Sequence, residues 1–243
     1  MRPYAQRPPP FYRWLAQFVG HVYVIEGNIG SGKTTLGAVL AGFVNENGHR
    51  AVFLEEEYPD DVLRDFIAFG HANPGAKNPH AFRLQTAILK RRRDVYVRAL
   101  ALAAERYIVF VDRSLPGDYV FASVNHSHGN IDDAEWHAYL REYRAVDLLE
   151  PTAVVYLDTS VEACLARIRQ RNRAGESHYT PAYIGALHGE YDTLMRDMDG
   201  LPTLILPWDT PRDFDDTAQC TLVAARVFRA LHDLLYHEDD VAK

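Results

Sequence analysis

The chain has 243 residues, 47% of them hydrophobic and 24% charged, proportions that fit one sizeable globular α/β core. Its formal net charge of −7 argues against a surface of clustered Lys and Arg, so no nucleic-acid partner is expected, whereas a small phosphorylated ligand in a local basic pocket is compatible. The two cysteines, Cys164 and Cys220, sit in helical stretches, and the longest apolar runs, such as Leu36 to Val44, fall far short of a membrane span. A reducing compartment is therefore expected, with no disulfide framework and no membrane partner. The cytoplasm is the simplest location; the nucleus and mitochondrion stay open.

Residues 1–20 open with a Pro-rich run carrying Arg2, Arg7 and Arg13, expected to be a flexible arm; a transit peptide would show Ser and an amphipathic period, which this run lacks. His21 to Glu26 is a β-branched and aromatic run that predicts a buried strand. A helix follows from Lys33 to about Asn47, ended by Gly48. Ala51 to Glu55 predicts a second strand, Asp60 to about Phe69 a helix, and His71 to Pro79 a loop. A long helix is expected from about His80 to Glu105, then a third strand from Tyr107 to Asp112. A short helix from about Asp118 to Val124 precedes a loop at residues 125–130. Asp132 with Glu135 three residues on is a capping-box signal for a helix reaching about Leu149. Ala153 to Asp158 predicts strand four, followed by a helix to about Asn172. Pro181 suits the first turn of a helix reaching about Met198. Thr203 to Pro207 predicts strand five, and a last helix runs from about Asp213 to Tyr236. Five apolar strands alternating with helices predict a parallel sheet covered on both faces. The expected organisation is a single domain over residues 21–236 with a flexible tail over residues 237–243.

Between the first strand and its helix stands Gly27-Asn28-Ile29-Gly30-Ser31-Gly32-Lys33-Thr34, followed by Thr35. Strand, glycine-rich loop and helix are the context in which this spacing binds phosphate. The glycines let backbone N–H groups turn inward, and the helix N-terminus adds partial positive charge. Lys33 reaches terminal phosphates, and the Thr34 hydroxyl is a Mg²⁺ ligand candidate. An Asn-Lys-x-Asp sequence, which a guanine-reading switch needs, is absent. A small-molecule kinase needs an acceptor site, a carboxylate base and a mobile arginine segment, and each has candidates.

Wound at ~100° per residue, the long helix places Gln85 and Arg92 in the middle of its apolar arc, seven positions apart. A buried guanidinium and a buried amide cost free energy unless paired, so they face either an internal carboxylate or a ligand. Strand ends in such sheets face the ligand crevice. Strand two ends in Glu55, Glu56 and Glu57, and strand three in Asp112, Arg113 and Ser114. Glu55 or Glu56 could take a hydroxyl proton, Asp112 could hold Mg²⁺ directly or through water, and Arg113 could brace a transferring phosphate or orient the base. Arg167, Arg171 and Arg173 follow strand four and can stabilise phosphoryl oxygens. His126 and His128 have no Cys or acid nearby to complete a ligand set and read as a solvated loop.

The motifs at Ile25–Thr35, Phe82–Thr86, Asp112–Ala122, Arg167–Glu176 and Tyr179–Leu194 together resemble the cellular-type deoxynucleoside kinases, over Val22 to about Phe214. The first motif alone also resembles thymidylate kinases. The resemblance implies a three-layer phosphate-loop kinase fold with an arginine-rich lid. It implies ATP as co-substrate, Mg²⁺ as cofactor, a deoxynucleoside acceptor and a homodimer. It also implies that Gln85 reads the nucleobase and that Arg92 pairs with Asp118 beside it, as in members that take deoxycytidine and purine deoxynucleosides. Glu176 would contact the sugar 3′-hydroxyl, and Arg212, Asp213 and Phe214 would lie near the adenine of ATP. Two departures stand out. Glu-Glu-Glu-Tyr-Pro replaces the family's Glu-Pro after strand two, where hydrophobic register favours Glu56 and strand length Glu55. The family's Tyr before the long helix has no counterpart in Phe66–Pro79. Expected function is transfer of the ATP γ-phosphate to a deoxynucleoside 5′-hydroxyl, in nucleotide salvage. A thymidine or thymidylate kinase is the runner-up, and a nucleotide-binding switch the reading from another class.

Overall fold

The computed structural model describes residues 15–58, 60–73, 75–172, 179–198 and 200–236. Five strands form one parallel sheet: β1 (Val22–Gly27), β2 (Ala51–Leu54), β3 (Ile108–Asp112), β4 (Ala153–Asp158) and β5 (Thr203–Pro207), in the order β2-β3-β1-β4-β5. The helices are α1 (Lys33–Glu46), α2 (Asp60–Ala72), α3 (Ala81–Ala104), α4 (Leu115–Ser127), α5 (Asp133–Arg144), α6 (Val161–Arg171), α7 (Pro181–Asp197) and α8 (Thr217–Tyr236). This is the α/β sheet with helices on both faces that the strand pattern predicts. Among the described residues, no helix is long and apolar enough to cross a membrane.

The period of two along each strand explains the layers. In β1, Tyr23 and Ile25 point into a core shared with Leu36 and Leu40 of α1 and Phe228 and Leu231 of α8. Val22 and Val24 point the other way, onto Tyr96, Ala99 and Ala103 of α3. Each fully buried Leu, Ile or Phe contributes roughly 1.5–3 kcal/mol, so both faces are strongly specified. A third cluster joins α4, α6 and α7 through Val120, Ile168, Ile184 and Tyr191. Because all five strands are parallel, their C-terminal ends lie along one edge of the sheet. The central strand β1 delivers the phosphate loop there, between β3 and β4.

Several element boundaries differ from expectation. β2 stops at Leu54, because its ladder with β3 closes at Leu54↔Val111, and Glu55 stands outside it. α2 continues to Ala72, past Phe69. α4 starts at Leu115 and runs to Ser127: the Ser114 side chain accepts from Gly117 N, and Pro116 sits in the first turn, where a missing N–H costs nothing. α5 ends at Arg144; beyond it Leu148 packs on the α3 side of the sheet, while Leu149 is exposed. α8 starts at Thr217, because Asp213 accepts a backbone N–H in a turn ahead of it and Asp216 accepts the Ala218 N–H at its start. The Asp132–Glu135 capping box forms as predicted.

Two glycines of α1 give opposite expectations. A Cβ on Gly37 would stand 2.2 Å from the ring of Phe53 in β2, whereas one on Gly42 meets nothing within 4 Å. Gly37→Ala should destabilise by roughly 1–3 kcal/mol through overpacking. Gly42→Ala should stabilise by about 1 kcal/mol through helix propensity. Urea denaturation of the two variants checks the signs.

Candidate active site

The loop from Gly27 to Thr34 owes its shape to glycine. Gly27 and Gly30 hold φ values of 147° and 78°, and a Cβ on Gly30 would lie 2.7 Å from the Cys164 carbonyl oxygen of α6. No other residue fits that approach without strain. Ile29 N donates to Asn28 Oδ1, and Asn28 Nδ2 to the Ile184 carbonyl of α7 at 2.9 Å, so α7 pins the start of the loop. Lys33 Nζ donates to the carbonyls of Gly27 (3.1 Å) and Asn28 (2.9 Å). Burial and the neighbouring Arg113 lower the Lys33 ammonium to about 8, against the pull of Asp112, Glu56 and Glu26. Thr35 is exposed on the first turn of α1.

Thr34 Oγ1 donates to Asp112 Oδ2 at 2.8 Å, joining the loop to the end of β3. Asp112 Oδ1 is buried with no hydrogen-bond partner. A hydroxyl, a carboxylate and a spare carboxylate oxygen beside a phosphate loop are the hard oxygen donors Mg²⁺ takes when substrate phosphates and water complete its shell. The residues therefore fit the ion. Among the described residues, no group of three or more His, Cys, Asp or Glu forms a metal site. His126 is not in a loop but in the last turn of α4, stacked on Trp136 and 3.0 Å from Asp133.

Facing the loop is a cavity of about 300 Å³. Lys33, Thr34, Glu55, Glu56, Asp112 and Arg113 line it on the phosphate side; Gln85 and Arg92 line it on the other, and Arg171 reaches it from α6. A second cavity, of about 270 Å³, opens beneath the first turn of α4 near Tyr96, Leu148 and Met198. Its walls are mostly apolar and none of the expected site residues lines it, so the chemistry belongs to the first.

The two candidate bases part company here. Glu55 is exposed, while the Glu56 side chain is only 7% exposed and turns inward. Glu56 accepts from Arg113 Nε at 2.7 Å, from Arg92 Nη2 and from the Tyr58 hydroxyl. Burial pushes its carboxyl up, but Arg113 and Arg92, with the Tyr58 hydroxyl, outweigh burial and hold it at about 2. Arg92 spans two acids: its Nη1 lies 3.1 Å from Asp118 Oδ1. Asp118 is fully buried at the start of α4 and also accepts the Tyr139 hydroxyl at 2.7 Å. Burial raises the Asp118 carboxyl, and Arg92 and Tyr139 oppose it. Gln85 Nε2 donates to the Asp118 backbone carbonyl at 3.2 Å.

Because Glu56 protonates at about 2 when folded and near 4.5 when unfolded, its contribution to stability is complete above 4.5. It drains away as pH falls through about 2. Urea unfolding in pH steps across this window should show falling stability, with a shallower fall in Glu56→Gln.

On the donor side, Arg167 donates to the carbonyls of Ser31 (2.9 Å), Trp208 (2.5 Å) and Asp209 (3.1 Å), which ties α6 to the phosphate loop. Arg212 lies over the Trp208 ring, 3.7 Å from its centroid. Asp213 N donates to Gln219 Oε1, and Phe214 packs on the α1 and α8 core. Arg173 and Glu176 lie outside the described residues.

Several residues of the site escaped sequence reasoning. Trp208 abuts Gly32, where a Cβ would lie 3.2 Å from its indole nitrogen; a Trp right after an apolar strand was the available signal. Glu26, Tyr139 and Tyr191 are fully buried polar side chains that stood out in no hydrophobic period. Arg113 has φ 72°, a left-handed backbone that costs an L residue roughly 1–2 kcal/mol. No pattern in the sequence announces it.

Comparison with known proteins gives a consistent result. The family model for deoxynucleoside kinase matches residues 23–228. Deoxyadenosine kinase of Dictyostelium discoideum is 28% identical, over 80% of this chain and 75% of its own length. Deoxycytidine kinase 1 of Xenopus laevis is 30% identical, over 80% of this chain and 84% of its own. A solved structure of deoxyadenosine kinase from M. mycoides, with dCMP and dCDP bound, superposes with a TM-score of 0.65 at 21% identity, covering 86% of this chain and 99% of that one. The match takes in the phosphate loop, the acidic end of β2, the α3 arginine and most of α8, and on that basis the chain belongs to the deoxynucleoside kinase family.

Proposed function

We propose that the protein transfers the γ-phosphoryl group of ATP to the 5′-hydroxyl of a deoxynucleoside, with purine deoxynucleosides and deoxycytidine as favoured acceptors. The observation that carries this reading is the inward-turned Glu56, held by Arg92 and Arg113 in one cavity with Lys33, Thr34 and Asp112. A hydroxyl placed beside Glu56 lies between a carboxylate and a phosphate loop. Gln85 and Arg92 offer amide and guanidinium groups to a nucleobase deeper in the cavity, with Asp118 holding Arg92 from behind, which suits the polar edges of cytosine and the purines.

In this mechanism the Glu56 carboxylate is ionised at every working pH. It orients the hydroxyl and takes its proton late, as charge leaves the oxygen in a loose transfer. Lys33 and Arg113 hold the negative charge of the moving phosphoryl, and Arg171 adds to that field from α6. Thr34 and Asp112 would hold Mg²⁺, which when bound neutralises phosphate charge. Positioning and electrostatics supply most of the acceleration. Glu56 is the base in preference to Glu55, whose side chain is exposed and outside the Arg92–Arg113 pair.

The test is incubation with labelled ATP, Mg²⁺ and each of the four deoxynucleosides, and separately with the four monophosphates. Product is expected from deoxyadenosine, deoxyguanosine or deoxycytidine. Product from no nucleoside would refute the kinase reading. Product from thymidine alone would refute the role given to Arg92 and Asp118.

A further inference from the structure

Arg113 is held from behind by a residue on α7. Tyr191 is fully buried, and its hydroxyl sits between two charged groups. It accepts from Arg113 Nη1 at 2.8 Å and donates to Glu26 Oε2 at 3.0 Å. Arg113 Nη1 also donates to the Gly27 carbonyl at 3.0 Å, while its Nε is aimed at Glu56. Glu26, the residue before the phosphate loop, accepts in addition from Ser114 N at 2.5 Å and Ser114 Oγ at 2.6 Å. The first turn of α4 is pressed against the same carboxylate: a Cβ on Gly117 would lie 2.1 Å from Glu26 Oε1. The Tyr191 ring needs no hydroxyl to pack, since it lies against Phe121 and Tyr156.

We propose that Tyr191 is a positioning residue for phosphoryl transfer: its hydroxyl, bridging Glu26 and Arg113, sets the guanidinium of Arg113 against Glu56. The physical need is specific. Arg113 sits on a left-handed backbone and reaches Glu56 through a long side chain with several rotamers. A guanidinium tied at Nη1 to the hydroxyl and to the Gly27 carbonyl presents Nε in one direction. Without the hydroxyl, one Arg113 donor and one Glu26 oxygen each lose a buried partner. The guanidinium then gains freedom to tilt away from Glu56. Through Tyr191, and through Asn28 Nδ2 on the Ile184 carbonyl, α7 holds both the start of the phosphate loop and the arginine beside the base. This inference rests on the proposed roles of Glu56 and Arg113.

Tyr191→Phe keeps the ring and removes the bridge. Its kcat is expected to fall roughly ten- to a hundred-fold, with KM for ATP and nucleoside changing little. In an Arg113→Lys background the same substitution should cost less than about twofold, because the group it acts through is gone. Wild-type kcat in Tyr191→Phe, or the same fractional loss in both backgrounds, would overturn the proposal. A second measurement does not depend on activity. The Arg113 Nε–Hε resonance, assigned by its loss in Arg113→Lys, should be distinct in the wild type. In Tyr191→Phe it should move toward the position of mobile arginines. An unmoved resonance overturns the proposal as well. If the wild-type protein phosphorylates no nucleoside, the kinase reading has failed, and the resonance alone decides whether Tyr191 positions Arg113.

Discussion

Glu56→Gln is expected to lower kcat by roughly 10²–10⁴-fold, while Glu55→Gln leaves it near the wild-type value. Glutamine keeps the shape of the side chain and can still accept from Arg113, but it cannot take a proton. The neutral amide also leaves two buried guanidiniums short of a counterion. Breaking a buried pair in this way costs roughly 3–5 kcal/mol. The loss is cushioned because Arg92 keeps Asp118, and Arg113 keeps Tyr191 and the Gly27 carbonyl. Steady-state kinetics at saturating ATP, with thermal unfolding to confirm a folded enzyme, measure both effects. If Glu55→Gln is the inactive variant, the base has been assigned to the wrong residue.

The second large effect concerns Arg92. Arg92→Met alone leaves Asp118 and Glu56 buried without their shared cation, and should destabilise by roughly 3–5 kcal/mol. Adding Asp118→Ala removes the carboxylate left stranded, since Glu56 keeps Arg113, and should recover part of that loss. The recovery is incomplete because the Tyr139 hydroxyl loses its acceptor, worth roughly 1–3 kcal/mol. The double variant should also shift the ratio of kcat/KM values from deoxycytidine and the purine deoxynucleosides toward thymidine, by at least about tenfold. Denaturant titration and parallel kinetics on the four deoxynucleosides check this. An unmoved acceptor ratio would make Arg92 and Asp118 a structural pair.

The elements that could be read in the sequence are those whose signal is local. The β1–loop–α1 unit is legible because strand pattern, glycine spacing and the following helix agree within a few residues. The phase of Gln85 and Arg92 is legible because a 24-residue helix makes a polar group on an apolar arc stand out. The start of α4 lies ahead of the expected Asp118, because Ser114 caps the helix and Pro116 suits its first turn. α8 starts later than expected because Asp213 accepts the Asp215 N–H in a turn ahead of the helix and Asp216 accepts the Ala218 N–H at its first turn.

The choice between Glu55 and Glu56 shows where local reading ends. Adjacent residues of one type carry the same composition and the same propensity. Only the position of Arg92 on α3 and Arg113 after β3, residues that meet through folding, turns one carboxylate inward and leaves the other in water. Tyr191 and Glu26 are a stronger case, because 165 positions separate them and an ordinary buried Tyr on α7 looks like core until its hydroxyl is seen between two charges. The sequence by itself determined the parallel sheet, the phosphate loop and the buried polar pair of the long helix, since each follows from periodicity or spacing along a short segment. The tertiary structure alone decided which acid turns inward onto Arg92 and Arg113, that Arg92 spans Glu56 as well as the expected Asp118, and what holds Arg113, because those are contacts between side chains that only the packed sheet brings together.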